Sequence, residues 1–134
     1  MKQVWKDLLF LHWPVAPDTL IPSLPDGLEL DTFDGRAWLG VVPFDMKGVT
    51  LRGCPAPRAL CDFPEINLRT YVVRDGKPGV WFFHLDVPHR LPVWAARTFF
   101  HLPYFQADMI VERSGTSIHY RHRRNELVFD ASYT

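Results

Sequence analysis

Twelve prolines in 134 residues constrain this chain more than any other feature, because each removes a backbone donor, fixes φ and stops a helix that runs into it. They fall in clusters, and the intervals between them are too brief for long helices. β-branched and aromatic runs fill those intervals, punctuated by Asp34-Gly35, Asp75-Gly76 and Ser114-Gly115, which is the pattern of short antiparallel strands joined by tight turns. The spacing predicts strands over residues 8–15, 28–33, 37–44, 65–74, 80–87, 106–112, 116–123 and 127–132. One or two helical turns are expected over residues 16–24, opened by Pro17 and Asp18. A single longer helix is expected over residues 91–100, where Pro92 suits the first turn and Ala95-Ala96-Arg97 has high propensity. Asp34-Gly35 should close a hairpin between residues 28–33 and 37–44, and residues 75–79 a second one. Residues 47–64, with three prolines and both cysteines, read as a long loop over the mouth or edge of the domain. These pieces predict one domain over residues 1–134, mostly β with an α+β character, built on a curved antiparallel sheet with one crossover helix.

Such a domain can close a core. Hydrophobic residues make up 47% of the chain and aromatics 14%, against 22% charged, the composition of a packed globule. Fifteen Lys plus Arg balance fifteen Asp plus Glu, so no global field draws the chain to nucleic acid or an anionic membrane. No stretch approaches the ~20 apolar residues of a bilayer span. Lys2, Lys6 and Asp7 interrupt the N-terminal stretch where a signal peptide would need an apolar run. The spacing of Cys54 and Cys61 is neither a redox nor a zinc signature. A cytoplasmic protein with free thiols is the expectation.

The strand at residues 65–74 carries the most chemistry. Period-2 alternation puts Glu65, Asn67, Arg69 and Tyr71 on one face and Ile66, Leu68, Thr70 and Val72 on the other. If the next strand pairs residue 74 with residue 80, Trp81, Phe83 and Leu85 flank the polar face, and a carboxylate and a guanidinium stand among aromatic walls, as in a ligand cavity. A one-residue change in the turn would exchange those faces. His84 and Asp86 share a strand face and could form an acid/base pair, although a histidine satisfied at a strand edge explains the pattern as well. No serine has a nucleophile-elbow context, and nothing near Cys61 would clearly lower its pKa. The histidines are not spaced as metal ligands: His119 and His122 fall on opposite faces of one strand. Glycine-rich phosphate loops are absent, so no metal or cofactor is expected. The basic run from Arg121 to Arg124 reads as a solvated edge that discourages sheet-to-sheet aggregation.

A co-linear set of segments resembles the YqjF-like family of uncharacterised proteins. It comprises Phe10-Leu11-His12-Trp13-Pro14-Val15, the run from Asp34 to Phe44, Phe63-Pro64-Glu65-Ile66-Asn67-Leu68-Arg69-Thr70-Tyr71-Val72, Gly79-Val80-Trp81-Phe82-Phe83, Leu85-Asp86, Ala95-Ala96-Arg97 and Leu102-Pro103-Tyr104. The family is more distantly similar to the acetoacetate decarboxylase-like superfamily, whose fold is a curved sheet closed into a cone-like barrel around a small apolar cavity. The resemblance therefore implies such a barrel here. In the decarboxylases a cavity lysine forms a Schiff base with a β-keto acid. By position, Tyr104 and Phe105 stand where those lysines would be, and Lys2, Lys6, Lys47 and Lys77 lie at the terminus, after a strand and in a turn. Decarboxylation through an imine is therefore not expected. What the resemblance implies is a pocket for a small carbonyl or carboxylate compound. Arg69 or Arg97 would hold an oxygen, Tyr104, Phe105, Trp81 and Phe83 would form the walls, and Asn67 and Tyr71 would share the lining. An enzyme alternative uses Glu65 as general acid or base in a lyase, hydratase or isomerase step on an oxo acid or lactone. A structural or assembly module is the third reading. Similar proteins run well beyond Thr134, so this is either a short family member or a piece whose open strand edges a second chain must cover, and a homodimer is expected.

Overall fold

The computed structural model describes residues 2–50, 61–89 and 101–134. Two sheets hold most of them. The larger has seven strands, with β1 (Lys2–Lys6), β4 (Ala37–Thr50), β5 (Phe63–Arg74), β6 (Lys77–Val87) and β7 (Tyr104–Gln106) in that order across it. On it, β2 (Leu11–Val15) pairs with β4 and β3 (Glu29–Leu30) with β5. The smaller is a meander of β8 (Asp108–Ser114), β9 (Ser117–Arg124) and β10 (Leu127–Tyr133). A short helix α1 (Pro17–Leu20) runs into a 3-10 turn at Ile21–Ser23, where the sequence predicted one or two helical turns. The expected helix at residues 91–100 lies outside the described residues. No helix among the described residues is long and apolar enough to cross a membrane.

The chain is mostly β, as expected, but the expected closed barrel is not found: among the described residues neither sheet closes on itself. The reason lies at Ala107. This buried residue is the only one between β7 and β8, and its amide donates to the Val87 carbonyl at 3.0 Å. The chain therefore leaves the large sheet at a corner and begins a second sheet instead of continuing the first. β7 runs parallel to β6, which requires a crossover connection between them.

Pairing competition explains the other departures. The Asp34-Gly35 turn forms, with φ of 53° and 69°, but it closes only the single bridge Phe33↔Arg36. β2 occupies the edge of β4 from Ala37 to Val41 that a hairpin partner would need. β3 pairs instead with Val72 and Val73 of β5, just beyond Thr70, the last β5 residue paired with β4. The stretch read as a loop from residue 47 is strand as far as Thr50 because β1, separated from β2 at Asp7 (φ 55°), supplies a partner. Gly48, at φ 62°, takes up the register shift there, and its amide donates to Asp62 Oδ1 at 2.8 Å.

The β5–β6 turn is tighter than residues 75–79. Asp75 and Gly76 adopt positive φ, Arg74 pairs with Lys77, and Pro78 is already in the strand opposite Val73. In a two-residue hairpin that position is a non-hydrogen-bonded pair, so the missing proline N–H faces outward and costs the ladder nothing. A register shift between Leu68 and Arg69 leaves Phe83 as the unpaired extra residue of β6, which re-aims the strand on either side of it.

On one face of the large sheet, Val42, Phe44, Met46, Phe63 and Val87 form the buried core, with Leu8, Val49 and Tyr104 packed against it. Each such side chain contributes roughly 1.5–3 kcal/mol by leaving water. The two sheets are joined by charge. Asp86, 2% exposed, accepts from His122 Nε2 at 2.7 Å and Arg124 Nε at 2.8 Å, and Asp45 accepts from Arg113 at 2.6 Å and Lys47 at 3.0 Å. Burial would raise the Asp86 pKa, but the bonds and charges of His122 and Arg124 outweigh it and hold the carboxyl below its ordinary value. Arg124, expected on a solvated edge, is thus turned inward, whereas Arg121 pairs with Glu112 on the exposed side.

Candidate functional site

The alternation of β5 places Glu65, Asn67, Arg69 and Tyr71 on the same face as the core. Glu65 stands opposite Phe44, Asn67 between Val42 and Leu85, Arg69 between Gly40 and Phe82, and Tyr71 opposite Val80. This is an unusual surface for an apolar core: Glu65 and Asn67 are buried, and Arg69 and Tyr71 are half-buried.

Glu65 is 3% exposed and accepts a hydrogen bond from the Tyr104 hydroxyl at 3.0 Å. Burial pushes its pKa up from 4.5 to about 7, against the opposing effect of that bond. Burial and the neighbouring Glu65 charge push the Tyr104 phenol above its ordinary value. Glu65 is therefore poised near neutrality, and Tyr104 stays a donor.

Asn67 is 1% exposed, and neither its amide nitrogen nor its amide oxygen has a hydrogen-bond partner. Leaving such a group unmade costs about 1–3 kcal/mol. One residue pair further on, Arg69 Nε is also buried without a partner. The Arg69 guanidinium lies 5.4 Å from the Phe10 ring and 5.7 Å from the Tyr71 ring, and Nη2 is 3.4 Å from the Tyr71 hydroxyl. That hydroxyl is 2.6 Å from His12 Nε2. Burial and the charge of Arg69 hold the His12 imidazole below its ordinary pKa, so it is neutral at pH 7.

Gly40 makes this cluster possible. It lies between His12 on β2 and Arg69 on β5, and a Cβ there would stand 3.1 Å from His12 Nε2 and 3.4 Å from Arg69 Cγ. Sequence reasoning did not single out Phe10, His12 or Gly40. The signal was present: a histidine alternating with apolar neighbours in a short strand, and a glycine inside a strand, which often marks close approach of another group.

The other expected wall residues are distributed differently. Trp81 pairs with Thr70, at the positions that alternate with Arg69, because the true register is Arg74↔Lys77. It lines an open groove of about 430 Å³ with Pro25, Leu28, Val72, Pro78 and Val80. Phe83 is the half-buried bulge residue. Phe105 pairs with Asp86 and meets the His84 ring edge at 5.4 Å and the Arg124 guanidinium at 4.4 Å. The structure therefore brings together Glu65, Asn67, Arg69, Tyr71 and Tyr104, and places Trp81 and Phe105 away from them. Arg97 and Cys54 lie outside the described residues. Among the described lysines, Lys6 and Lys77 are exposed and Lys47 is paired with Asp45. No group of three or more His, Cys, Asp or Glu side chains among the described residues could hold a metal ion.

Comparison with known proteins agrees with this architecture. The chain is 49% identical over 136 residues to the uncharacterized protein YqjF of Bacillus subtilis, a match covering 99% of this chain and 56% of that protein. The chain thus spans little more than half of that relative's length. Among solved structures it resembles the enduracididine biosynthesis enzyme MppR, with a TM-score of 0.71 and 17% identity over 95% of this chain and 52% of that one. It also resembles acetoacetate decarboxylase from Legionella pneumophila, with a TM-score of 0.65 and 14% identity over 94% of this chain and 46% of that one. At such identities the likeness establishes the fold. The model of the DUF2071 family of uncharacterized conserved proteins matches residues 2–134, and with the near-half identity to YqjF this places the chain in that family, on an acetoacetate decarboxylase-like fold.

Proposed function

We propose that the chain binds a compound bearing a carbonyl or carboxylate on the Glu65–Asn67–Arg69 face, without an imine to lysine. The observation that carries this reading is Asn67, an amide 1% exposed with neither polar atom partnered. A buried amide is normally satisfied by protein, water or ligand. Beside it, Arg69 Nε offers an unpaired donor and Glu65 a carboxyl that is half protonated near pH 7. Acceptor oxygens with an adjacent hydroxyl or enol match that set. MppR has been solved with pyruvate bound, which supports an oxo acid as the ligand class. A second reading, favoured by the Glu65 pKa of about 7, makes Glu65 the general acid or base of a lyase, hydratase or isomerase step on such a compound. The burial of Glu65 argues against a purely structural module. A cytoplasmic location and a homodimer that covers the strand edges belong to the same proposal.

Thermal-shift measurements with pyruvate, longer keto acids and aromatic acids test it. A ligand at 100 times its Kd adds about 2.7 kcal/mol of stability. Asn67→Leu removes an unsatisfied amide at similar volume, so the variant should be at least as stable as the parent and lose the ligand response. Retention of the response in Asn67→Leu, or no stabilisation of the parent by any compound of the panel, would sink the proposal.

A further inference from the structure

The polar groups of β5 are spaced by the strand itself. At roughly 3.3 Å per residue, Glu65 and Arg69 are separated by about 13 Å along the backbone, with Asn67 midway. Side-chain direction does not close that gap. Arg69 leans toward Phe10 and Tyr71, the latter lying further along the strand from Glu65. Glu65 is tied to Tyr104 at the other end. A three-carbon oxo acid is too short to reach both.

The Arg69 end is a built station. Two aromatic rings approach the guanidinium, Gly40 supplies the space in which His12 and Arg69 lie together, and His12 fixes the Tyr71 hydroxyl beside Nη2. Nε is left buried and unpartnered. An arginine held in one orientation with a donor to spare suits a planar anion such as a carboxylate.

We infer that the ligand is an elongated, two-headed molecule, with a carboxylate on Arg69, a polar group over Asn67 and a second hydrogen-bonding head at Glu65 and Tyr104. This rests on the binding face proposed above and names the shape and chemistry of what it takes. In this arrangement Phe10, His12 and Gly40 are positioning residues that act through Arg69 and Tyr71.

Straight-chain α,ω-dicarboxylates from malonate to sebacate, measured by calorimetric titration at pH 6, where Glu65 keeps its proton, test the inference directly. Affinity is expected to rise at least tenfold from the three- and four-carbon members to those of eight or more carbons. A long monocarboxylate should fall well below the dicarboxylate of equal length. Phe10→Ala, at a position 53% exposed and so safe for folding, should weaken the long members severalfold; unchanged affinity for them would count against Arg69 as the carboxylate station. Equal affinity for malonate and suberate would overturn the inference while leaving the binding face intact. If pyruvate and the short acids bind and the long ones do not, it is likewise wrong. Failure of every acid, short or long, would remove the binding face as well.

Discussion

Replacing Glu65 by glutamine gives a quantitative test of the site's electrostatics. The folded protein raises this carboxyl from 4.5 to about 7, and at about 1.4 kcal/mol for each pH unit the difference amounts to roughly 3 kcal/mol. The sign follows from proton linkage. Below pH 4.5 the group is protonated in both states and costs nothing. Between 4.5 and about 7 the unfolded chain ionises first, so stability falls as pH rises. Above about 7 the full penalty of the buried carboxylate is present. Glutamine cannot ionise, and its carbonyl can still accept from Tyr104. Part of that penalty is already present at pH 5, so the Glu65→Gln variant should gain about 2.5 kcal/mol over the parent at pH 8 relative to any difference at pH 5. Urea unfolding followed by tryptophan fluorescence at pH 5, 6, 7 and 8 measures this. With slopes of about 1–3 kcal/mol per molar urea, the midpoint difference should grow by roughly 1–3 M across the range. Contributions of Asp86, His12 and every other titrating group are common to both proteins and cancel in the difference. A difference that stays flat from pH 5 to 8 would show that Glu65 is ionised normally, and the reading of it as a proton donor near neutrality would fall with it.

Two further perturbations probe the scaffold. Asp86→Ala leaves His122 and Arg124 facing each other without their shared carboxylate and should cost about 3–5 kcal/mol by denaturant titration; a cost below 1 kcal/mol would mean that the ion cluster does not hold the two sheets together. Because the Asp86 pKa is depressed in the folded state, its contribution is present above the ordinary aspartate range and should disappear as pH falls below it. Gly40→Ala drives a methyl to 3.1 Å from His12 Nε2, so ligand affinity should drop while β4, which retains its pairing, stays folded; unchanged affinity would show that the position of His12 is immaterial.

Much of this was readable from residues alone, because period-2 alternation is a property of one strand. Glu65, Asn67, Arg69 and Tyr71 share a face whatever their neighbours do, and they were found together. The contents of the opposite strand depend on register, which a single turn residue sets. Asp75-Gly76 closes a two-residue hairpin and the bulge at Phe83 shifts the count again, so Trp81 moved away from the polar face while Leu85 remained on it. Likewise, Asp34-Gly35 encodes its turn, but which strand pairs with β3 depended on β2 reaching the β4 edge. The inward turn of Arg124 had no local signal, since its partner Asp86 is 38 residues away.

Ala107 gives the two sheets a joint with no slack. Tyr104 rides on β7 within the large sheet, and Asp108 already belongs to the other. A shift of the β7 backbone must therefore either break the Ala107–Val87 hydrogen bond or be carried into β8. A ligand that moved β7 on binding would be felt in the far sheet, and amide exchange along β8 would report it.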